Sequence, residues 1–339
     1  MDELFIKCRK EIDDKIDYVL DNEINKYSDN KFISESLEEL KRLSKGGKRV
    51  RGYLVKLGQL LFGKDDDSYI ELATALEIFQ TAILIHDDVI DEADKRRELD
   101  TINSKYKGHL GISKAICIGD LGFFLSYDII NNMDIDSKVK EKILKIYSKT
   151  LYNTVNGEII DVELPLESLD YHKNMSENII YDIYINKTAW YTIIGPILIG
   201  AVSAGINDDD RKKLVDMGIN LGIAFQIKDD LLGLYSDTNT MGKTLNDIKE
   251  NKQTIIYKYA IDHANDVELE IINKYYGKNI DEEKTNELLD LFEVLGAKKE
   301  AERLVEEYTN KGIEIINDMD IENKEEFISF ANYLLKREN

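Results

Sequence analysis

Apolar residues recur at steps of three and four along most of this chain. The clearest run covers residues 70–91, and the same period returns over 179–199, 214–232 and 301–316. This spacing places apolar side chains on one face of an α-helix, while the two-residue alternation typical of strands is hard to find. The pattern therefore predicts an all-α protein.

Short polar or glycine-containing segments separate the predicted helices. They lie near residues 44–47, 63–68, 131–137, 205–210, 236–242 and 276–281. The chain has only 2 prolines among 339 residues, which favours helices because proline disrupts their interiors. No long linker, change of composition or internal repeat divides the chain. We therefore predict one domain spanning residues 1–339.

The composition narrows the classes of function. Asp and Glu number 66 against 45 Lys and Arg, a net charge of -21 that argues against nucleic acid or an anionic membrane as partner. Hydrophobic residues make up 43%, enough for a sizeable core. Cys8 and Cys117 lack the spacing of a zinc site or a disulfide framework and fit a reducing compartment. Because no apolar signal segment follows Met1 and no run reaches about 18 apolar residues, we expect a cytoplasmic protein without stable membrane insertion.

The helix predicted over 70–91 is apolar on almost every side and ends in Asp87, Asp88 and Asp91. Such a helix is buried, so carboxylates at its end need a cation or a metal ion. Asp87 and Asp91 are four residues apart and share a face, and their oxygens suit Mg²⁺ that bridges to a diphosphate. The same Asp-Asp-x-x-Asp pattern at 13–17 lies in a charged amphipathic segment, where we interpret it as solvated surface. The position after an apolar helix, more than the motif, makes the first cluster a candidate metal site.

A second acidic cluster ends the apolar helix predicted over 214–232. Gln226 lies three residues before Asp229 and four before Asp230, so the three side chains share a face. If this helix end faced the first aspartate cluster, the carboxylates would hold a cationic group between them.

Residues 46–51, GGKRVR, combine a glycine pair with three cations just before an apolar helix. Glycines let backbone N–H groups approach an anion, and a helix N-terminus favours negative charge. Arg51 can clasp phosphate oxygens with two donors, and Lys48 supplies a point charge. The segment is a candidate phosphate site, with a generic basic turn as the alternative.

Further cations accompany both acidic clusters. Arg96 and Arg97 follow Asp91 closely, and Lys187 interrupts the apolar helix of 179–199, where it needs an anionic partner. Lys243 and Lys252 follow the second cluster. Taken singly, each of these residues is more often a surface cation.

Taken together in this order, the segments resemble the trans-polyprenyl diphosphate synthases, the family of farnesyl and geranylgeranyl diphosphate synthases. The resemblance runs from residue 46 to residue 254. It implies a single large helical bundle of the isoprenoid synthase type with a central apolar cavity, a homodimer, and three Mg²⁺ ions that grip an allylic diphosphate. It also implies condensation of isopentenyl diphosphate with dimethylallyl, geranyl or farnesyl diphosphate by ionisation, attack of the isopentenyl double bond and loss of a proton.

The resemblance assigns roles by position. The implied metal ligands are Asp87, Asp91 and Asp229, supported by Asp88 and Asp230. The implied ligands of isopentenyl diphosphate are Lys48, Arg51, Gln80 and Arg97. The implied ligands of the allylic diphosphate are Arg96, Lys187, Lys243 and Lys252, while Thr188 and Gln226 would face the developing carbocation.

Several positions depart from the family pattern. Gln80 stands where His is frequent, and Glu98, Asp100 and Asn103 stand where Gly, Pro and His are frequent. Gly233 replaces a third aspartate in the second cluster, a variant that we expect in geranylgeranyl-type members. These departures affect the expected substrate affinity and leave the reaction class unchanged.

Product length is predicted from the floor of the implied cavity, since family members grow their chains along the helix that ends in the first aspartates. One helical turn rises ~5.4 Å, close to one isoprene unit. Ala82, five residues before Asp87, is too small to block the chain, while Phe79 lies about one turn deeper on the same face. We predict a C20 product, with C15 and C25 as alternatives. Phe123 and Phe124 either line this pocket or, as we favour, pack in the core.

Other classes of protein fit less well. A terpene cyclase would not need residues 46–51, and a head-to-head squalene or phytoene synthase should carry two Asp-x-x-x-Asp motifs. A non-catalytic subunit of a heteromeric synthase would usually lack the aspartates. An acidic cation-buffering protein would explain the charge but not why carboxylates end apolar helices beside arginines.

Overall fold

A computed structural model describes residues 3–235 and 246–336. Within those ranges the elements are helices, apart from an antiparallel hairpin of β1 (Lys95–Arg96) and β2 (Leu99–Asp100), in which Lys95 pairs with Asp100. The all-α prediction is confirmed, and the hairpin is a local exception that it did not contain.

The helices follow one another with short connections. In chain order they are α1 (Glu3–Lys26), α2 (Lys31–Ser44), α3 (Val50–Leu60), α4 (Tyr69–Ile90), α5 (Ile102–Tyr106), α6 (Gly108–Asn131), α7 (Ser137–Glu163), α8 (Leu169–Asn174), α9 (Asn178–Ile183), α10 (Gly195–Ser203), α11 (Asp208–Tyr235), α12 (Asn246–Lys249), α13 (Ile255–His263), α14 (Asp266–Tyr275), α15 (Glu282–Val294), α16 (Ala297–Asn317) and α17 (Lys324–Lys336). A 3₁₀ turn covers Leu164–Leu166, and a π-helix covers Tyr184–Ile194.

The predicted helices match observed ones closely. Residues 70–91 correspond to α4, 214–232 lie within α11, and 301–316 lie within α16. The predicted breaks coincide with observed connections, except that residues 236–242 lie outside the described part of the chain. The apolar run of 179–199 is helical, but its centre adopts the π-helix, which the apolar period did not reveal.

The chain divides into two compact units. The first comprises Met1–Tyr147 with Pro196–Ile206, and the second comprises Ser148–Gly195 with Asn207–Asn339. The expectation of a single domain over residues 1–339 stays a prediction.

In the first unit, α4 packs against α1, α2, α3 and α6, which explains why it is apolar on almost every side. Its contact with α6 is close. A Cβ at Gly122 would lie 2.8 Å from the Cβ of Ala82, so the glycine lets the two helix backbones approach each other. Ala82 is therefore buried at a helix crossing.

In the second unit, α11 packs against the π-helix and α16. The apolar residues on α11, including Ile223, Ile227, Leu231 and Leu234, are buried in one cluster with residues of α13, α15 and α16. A π-helix is rare and occurs mostly at functional sites. This one contains two of the sequence-predicted site residues, Lys187 and Thr188.

Helix α6 leaves much of its apolar surface exposed. By length and composition alone it could cross a membrane, and 33% of its most apolar 18-residue stretch is buried within the protein. The exposed side chains on it are Leu110, Ile112, Ile116, Leu121, Phe124 and Tyr127. One such helix is weak support for a membrane span, because a helix that packs against another chain has the same composition.

Candidate active site

The aspartates that end α4 are bound by an arginine from the hairpin. Arg96 donates from Nη2 to Asp87 Oδ2 at 2.7 Å and from Nε to Asp88 Oδ1 at 2.6 Å. Burial lowers the pKa of Arg96, but the charges of Asp88 and Asp87 outweigh it, so that its pKa is raised. Asp88 is buried, whereas Asp87 is half-buried and Asp91 is exposed. Asp87 and Asp91 are thus the more accessible of the three carboxylates, and their part in a metal site stays a prediction.

Arg97 lies in a concentration of positive charge. It donates from Nη1 to the carbonyl of Lys45 at 3.2 Å, which joins the hairpin turn to the glycine loop that precedes α3. Burial lowers the pKa of Arg97, and the nearby charges of Arg49, Arg96 and Arg51 lower it further. Arginines held this close repel one another unless an anion joins them. The structure therefore brings together two basic segments that the sequence had placed 45 residues apart or more, and it forms a candidate anion site.

Arg49 anchors the glycine loop and is not available to a substrate. It is 4% exposed, and it donates to Asp13 at 2.6 Å, to Glu77 at 3.3 Å and to the carbonyl of Ser44 at 2.6 Å. Asp13, interpreted from the sequence as solvated surface, keeps 40% of its side chain exposed and also neutralises this buried arginine.

Lys48 and Arg51 lie on either side of that anchor. Lys48 is exposed, and Arg51 is half-buried in the first turn of α3. Both are placed where a helix N-terminus adds positive potential. The choice of these two residues as the phosphate ligands of residues 46–51 stays a prediction. Gln80 is half-buried on α4.

The predicted floor residue Phe79 is buried among aromatic rings. Its ring centroid lies 5.6 Å from that of Phe123 and 5.6 Å from that of Tyr147, and Phe123 in turn lies 5.1 Å from His86. The favoured core position is wrong for Phe124, which is 74% exposed because it points to the outer face of α6.

In the second unit, Gln226 is fixed at both ends of its amide. Thr188 donates its hydroxyl to Gln226 Oε1, and Gln226 Nε2 donates to Asp230 Oδ1 at 2.8 Å. Asp230 also accepts from the hydroxyl of Tyr184, which in turn accepts from the backbone N–H of Ile255 at 2.9 Å. Burial raises the pKa of Asp230 to about 7. This network orients Thr188 and Gln226. The role of Tyr184 in the network was not predicted from the sequence.

Lys187 has the internal anionic partner that its apolar helix demanded. Its ammonium lies 2.9 Å from Glu158 Oε2 and 2.6 Å from Asp161 Oδ2, both on α7. Gly157 allows this approach, since a Cβ there would lie 2.3 Å from the Lys187 backbone nitrogen. Neither carboxylate was predicted as its partner, although the sequence shows Gly157 followed by acids at i+1 and i+4.

The carboxylate of Asp247 lies against Gly233, the position that lacks the third aspartate. A Cβ at residue 233 would be 2.1 Å from Asp247 Oδ2, so a larger residue would displace this carboxylate. Lys252 lies 3.7 Å from Asp247 and 3.1 Å from Glu250. Asp229 is half-buried on α11. Lys243 lies outside the described residues.

Comparison with known proteins places the chain in a family. The family model for polyprenyl synthetases matches residues 31–292. The chain is 30% identical over 299 residues to the short chain isoprenyl diphosphate synthase of Methanocaldococcus jannaschii, which covers 88% of this chain and 79% of that protein. It is 31% identical over 278 residues to the geranylgeranyl diphosphate synthase of Sulfolobus acidocaldarius, which covers 81% of each.

Solved structures agree with the family model. The crystal structure of geranylgeranyl pyrophosphate synthase from Corynebacterium glutamicum, complexed with isoprenyl diphosphate and magnesium, matches with a TM-score of 0.88 at 25% identity and covers 98% of this chain and 99% of that chain. The geranylgeranyl pyrophosphate synthetase of Pyrococcus horikoshii matches with a TM-score of 0.86 at 25% identity and covers 99% of each. The chain therefore belongs to the polyprenyl synthetase family, has the all-α isoprenoid synthase fold and is a prenyltransferase.

Proposed function

We propose that the protein condenses isopentenyl diphosphate with an allylic diphosphate in a Mg²⁺-dependent reaction, with geranylgeranyl diphosphate as the main product. The observation that carries this proposal is the joining of the glycine loop to the hairpin through Arg97 and Lys45. This contact brings a cluster of arginines beside the aspartates of α4. An enzyme that binds a single diphosphate has no need of such a second anion site. Farnesyl and C25 diphosphates remain alternative products.

The proposed metal ligands are Asp87, Asp91 and Asp229, with Asp88 and Asp230 supporting them. Their carboxylate oxygens are hard donors of the kind that Mg²⁺ prefers. Among the described residues, no three His, Cys, Asp or Glu side chains converge on one point, so oxygens from a diphosphate are needed to complete a coordination shell. We propose that three Mg²⁺ ions bind together with the allylic diphosphate. Bound Mg²⁺ would neutralise the charge that develops on the departing diphosphate.

The protein's own cations bind and orient the two substrates. We assign Lys48, Arg51, Gln80 and Arg97 to isopentenyl diphosphate, and Arg96, Lys187, Lys243 and Lys252 to the allylic diphosphate. Each described member of the second set is already held by carboxylates, so the allylic diphosphate exchanges places with aspartates and glutamates when it binds. Such an exchange favours a highly charged ligand over a singly charged one.

Thr188 and Gln226 are proposed to face the carbocation that forms when the allylic diphosphate leaves. Because the hydroxyl hydrogen of Thr188 is donated to Gln226 Oε1, the lone pairs of its oxygen are free to point at a positive centre. Fixed dipoles that need no reorientation stabilise developing charge more effectively than water does.

The exposed apolar face of α6 supports a homodimer. We propose that a second copy of the chain covers this face, since an apolar patch of this extent on a prenyltransferase in the cytoplasm would otherwise contact water. We also propose that both compact units belong to one synthase domain, which is supported by the match of the family model across residues of both.

Steady-state kinetics of Arg51→Ala and Arg97→Ala test the second anion site. Each variant should raise the KM for isopentenyl diphosphate by about tenfold or more, since a charge-assisted phosphate contact contributes roughly 1.5–3 kcal/mol. The KM for the allylic substrate should change little. If the allylic KM rose instead and the isopentenyl KM stayed constant, the assignment of the two sites would be reversed.

A further inference from the structure

Three aromatic rings from three helices meet where the floor of the product cavity is expected. Phe79 comes from α4, Phe123 from α6 and Tyr147 from α7. The ring of Phe79 touches both others at centroid distances of 5.6 Å, with interplanar angles of 47° and 63°. Phe79 and Tyr147 are each 1% exposed. The barrier at this depth is therefore a cluster of three rings, of which the sequence had identified Phe79 as the floor and Phe123 as a residue of the pocket or the core.

A chain of hydrogen bonds fixes one of these rings. The hydroxyl of Ser126 donates to the carbonyl of Phe123 at 2.7 Å and also pairs with the hydroxyl of Tyr147. Because Ser126 has one hydroxyl hydrogen, Tyr147 is the donor to Ser126. Burial raises the pKa of Tyr147, so the phenol keeps its proton. The ring of Tyr147 is thus tied to the backbone of α6 beside Phe123.

Phe79 and Tyr147 lie at the same depth. A cavity of about 240 Å³ further along the first unit is lined by Leu72 of α4 and Val139 of α7. Phe79 follows Leu72 by seven residues and Tyr147 follows Val139 by eight, which correspond to ~10.5 and ~12 Å of helix. The two rings therefore lie side by side at the same distance along the helices, and both would contact the end of a growing chain at that depth.

We propose that Tyr147, held in place by Ser126, determines product length together with Phe79. This inference rests on the proposed function, since a floor matters only to an enzyme that extends a prenyl chain. A ring with a hydrogen-bonded hydroxyl has one position, which gives a sharp stop. A ring that has lost this bond can turn aside for a longer chain, because aromatic χ2 torsions have broad minima.

Four variants test the role of Tyr147 by product chromatography. Ser126→Ala and Tyr147→Phe keep the ring and remove its hydrogen bond, so each should add a C25 fraction of about a tenth or more to the C20 product. Their combination should match the single variants, because both remove the same bond. Tyr147→Ala should shift the main product to C25 or longer, as Phe79→Ala should.

Tyr69→Phe is the matched control. Tyr69, at the start of α4, is also buried in the first unit, and its hydroxyl donates a partly buried hydrogen bond to Glu11 of α1. Loss of this phenol should weaken the fold and leave product length unchanged. If Tyr147→Ala fails to fold, Tyr147→Leu fills more of the space and carries the same expectation.

The outcomes separate this inference from the proposed function. A wild-type protein that incorporates isopentenyl diphosphate, with longer products from the Tyr147 and Ser126 variants, supports both. An active wild type whose product length is unchanged in Ser126→Ala, Tyr147→Phe and Tyr147→Leu overturns the role of Tyr147 alone. A folded wild type with no incorporation overturns the proposed function and removes the basis for a floor.

Discussion

Glu158 and Asp161 hold the ammonium of Lys187, so an allylic diphosphate has to compete with two carboxylates for this lysine. Replacing Glu158 with Gln keeps the shape of the side chain and removes one negative charge. We expect Glu158→Gln to lower the KM for the allylic diphosphate. The KM for isopentenyl diphosphate should not change, because its proposed ligands lie elsewhere in the sequence.

The size of the effect follows from the ion pair. At an effective dielectric constant near 20, unit charges at the 2.9 Å separation of Lys187 and Glu158 attract by about 6 kcal/mol. These side chains are 26% and 21% exposed, and Asp161 remains in place, so solvent screening reduces the released energy to ~1–2 kcal/mol. Since 1.4 kcal/mol corresponds to a factor of ten, the allylic KM should fall by about 5- to 30-fold.

The assay is steady-state kinetics with each diphosphate varied in turn. Glu163→Gln is the control, because it makes the same charge change at an exposed position of α7. Lys187→Ala should raise the allylic KM. A rise in the allylic KM of Glu158→Gln would show that Glu158 positions the lysine for substrate, and a change equal to that of Glu163→Gln would show only a general effect of charge.

Three further predictions concern the metal site, the fold and the second copy. Asp87→Ala should reduce turnover by several orders of magnitude with an unchanged circular dichroism spectrum, and near-normal turnover would remove Asp87 from the metal ligands. Burial raises the pKa of Glu39, but hydrogen bonds from Lys105 and Arg42 outweigh burial and hold that pKa below its usual 4.5. Glu39→Gln should therefore lower the free energy of unfolding by ~1–3 kcal/mol at neutral pH. A lowered carboxyl pKa stabilises the fold at pH values above the pKa of the unfolded state, and this stabilisation is lost as the pH falls through the pKa of the folded state. The melting temperatures of the wild type and Glu39→Gln should therefore converge below pH 4.5. A constant difference would refute the ion-pair explanation. Cys117 is exposed on α6, seven residues before Phe124, whereas Cys8 is buried and burial raises the pKa of its thiol. If a second copy covers this face of α6, a thiol reagent should react slowly with the native protein and faster with the Ile116→Glu variant. Fast reaction of native Cys117, together with a monomer mass by light scattering, would contradict the dimer.

The parts of the fold that could be predicted are those controlled by local apolar spacing. Helix α4 was predicted within one residue at each end because it is apolar on nearly every side and stops at charged residues. The hairpin at 95–100 could not be predicted, because its strands are two residues long and its turn holds Arg97 and Glu98 at positive φ of 50° and 63°. Neither residue type signals such a turn.

In the candidate site, too, local features could be predicted from the sequence and contacts between distant segments could not. Residues next to a recognisable helix end, such as Asp87 and Arg51, could be chosen from the sequence, and the structure places both at the ends of helices. Contacts between distant segments were not visible, since Glu158 and Lys187 are 29 residues apart and meet only because Gly157 lets two helices approach. The ion pair of Asp13 was not visible for the same reason, because its partner Arg49 lies 36 residues away. The expectation that the ends of the two acidic helices face each other stays a prediction.

The central claim is that this one chain joins two diphosphates with the help of Mg²⁺. The most direct test is incubation of the purified protein with labelled isopentenyl diphosphate and each allylic starter, with Mg²⁺ and with a chelator, followed by chromatography of the products. We predict incorporation only with Mg²⁺ and a main product of C20. A folded protein that incorporates no label from any starter would contradict the claim and favour a non-catalytic subunit or a cation-binding protein.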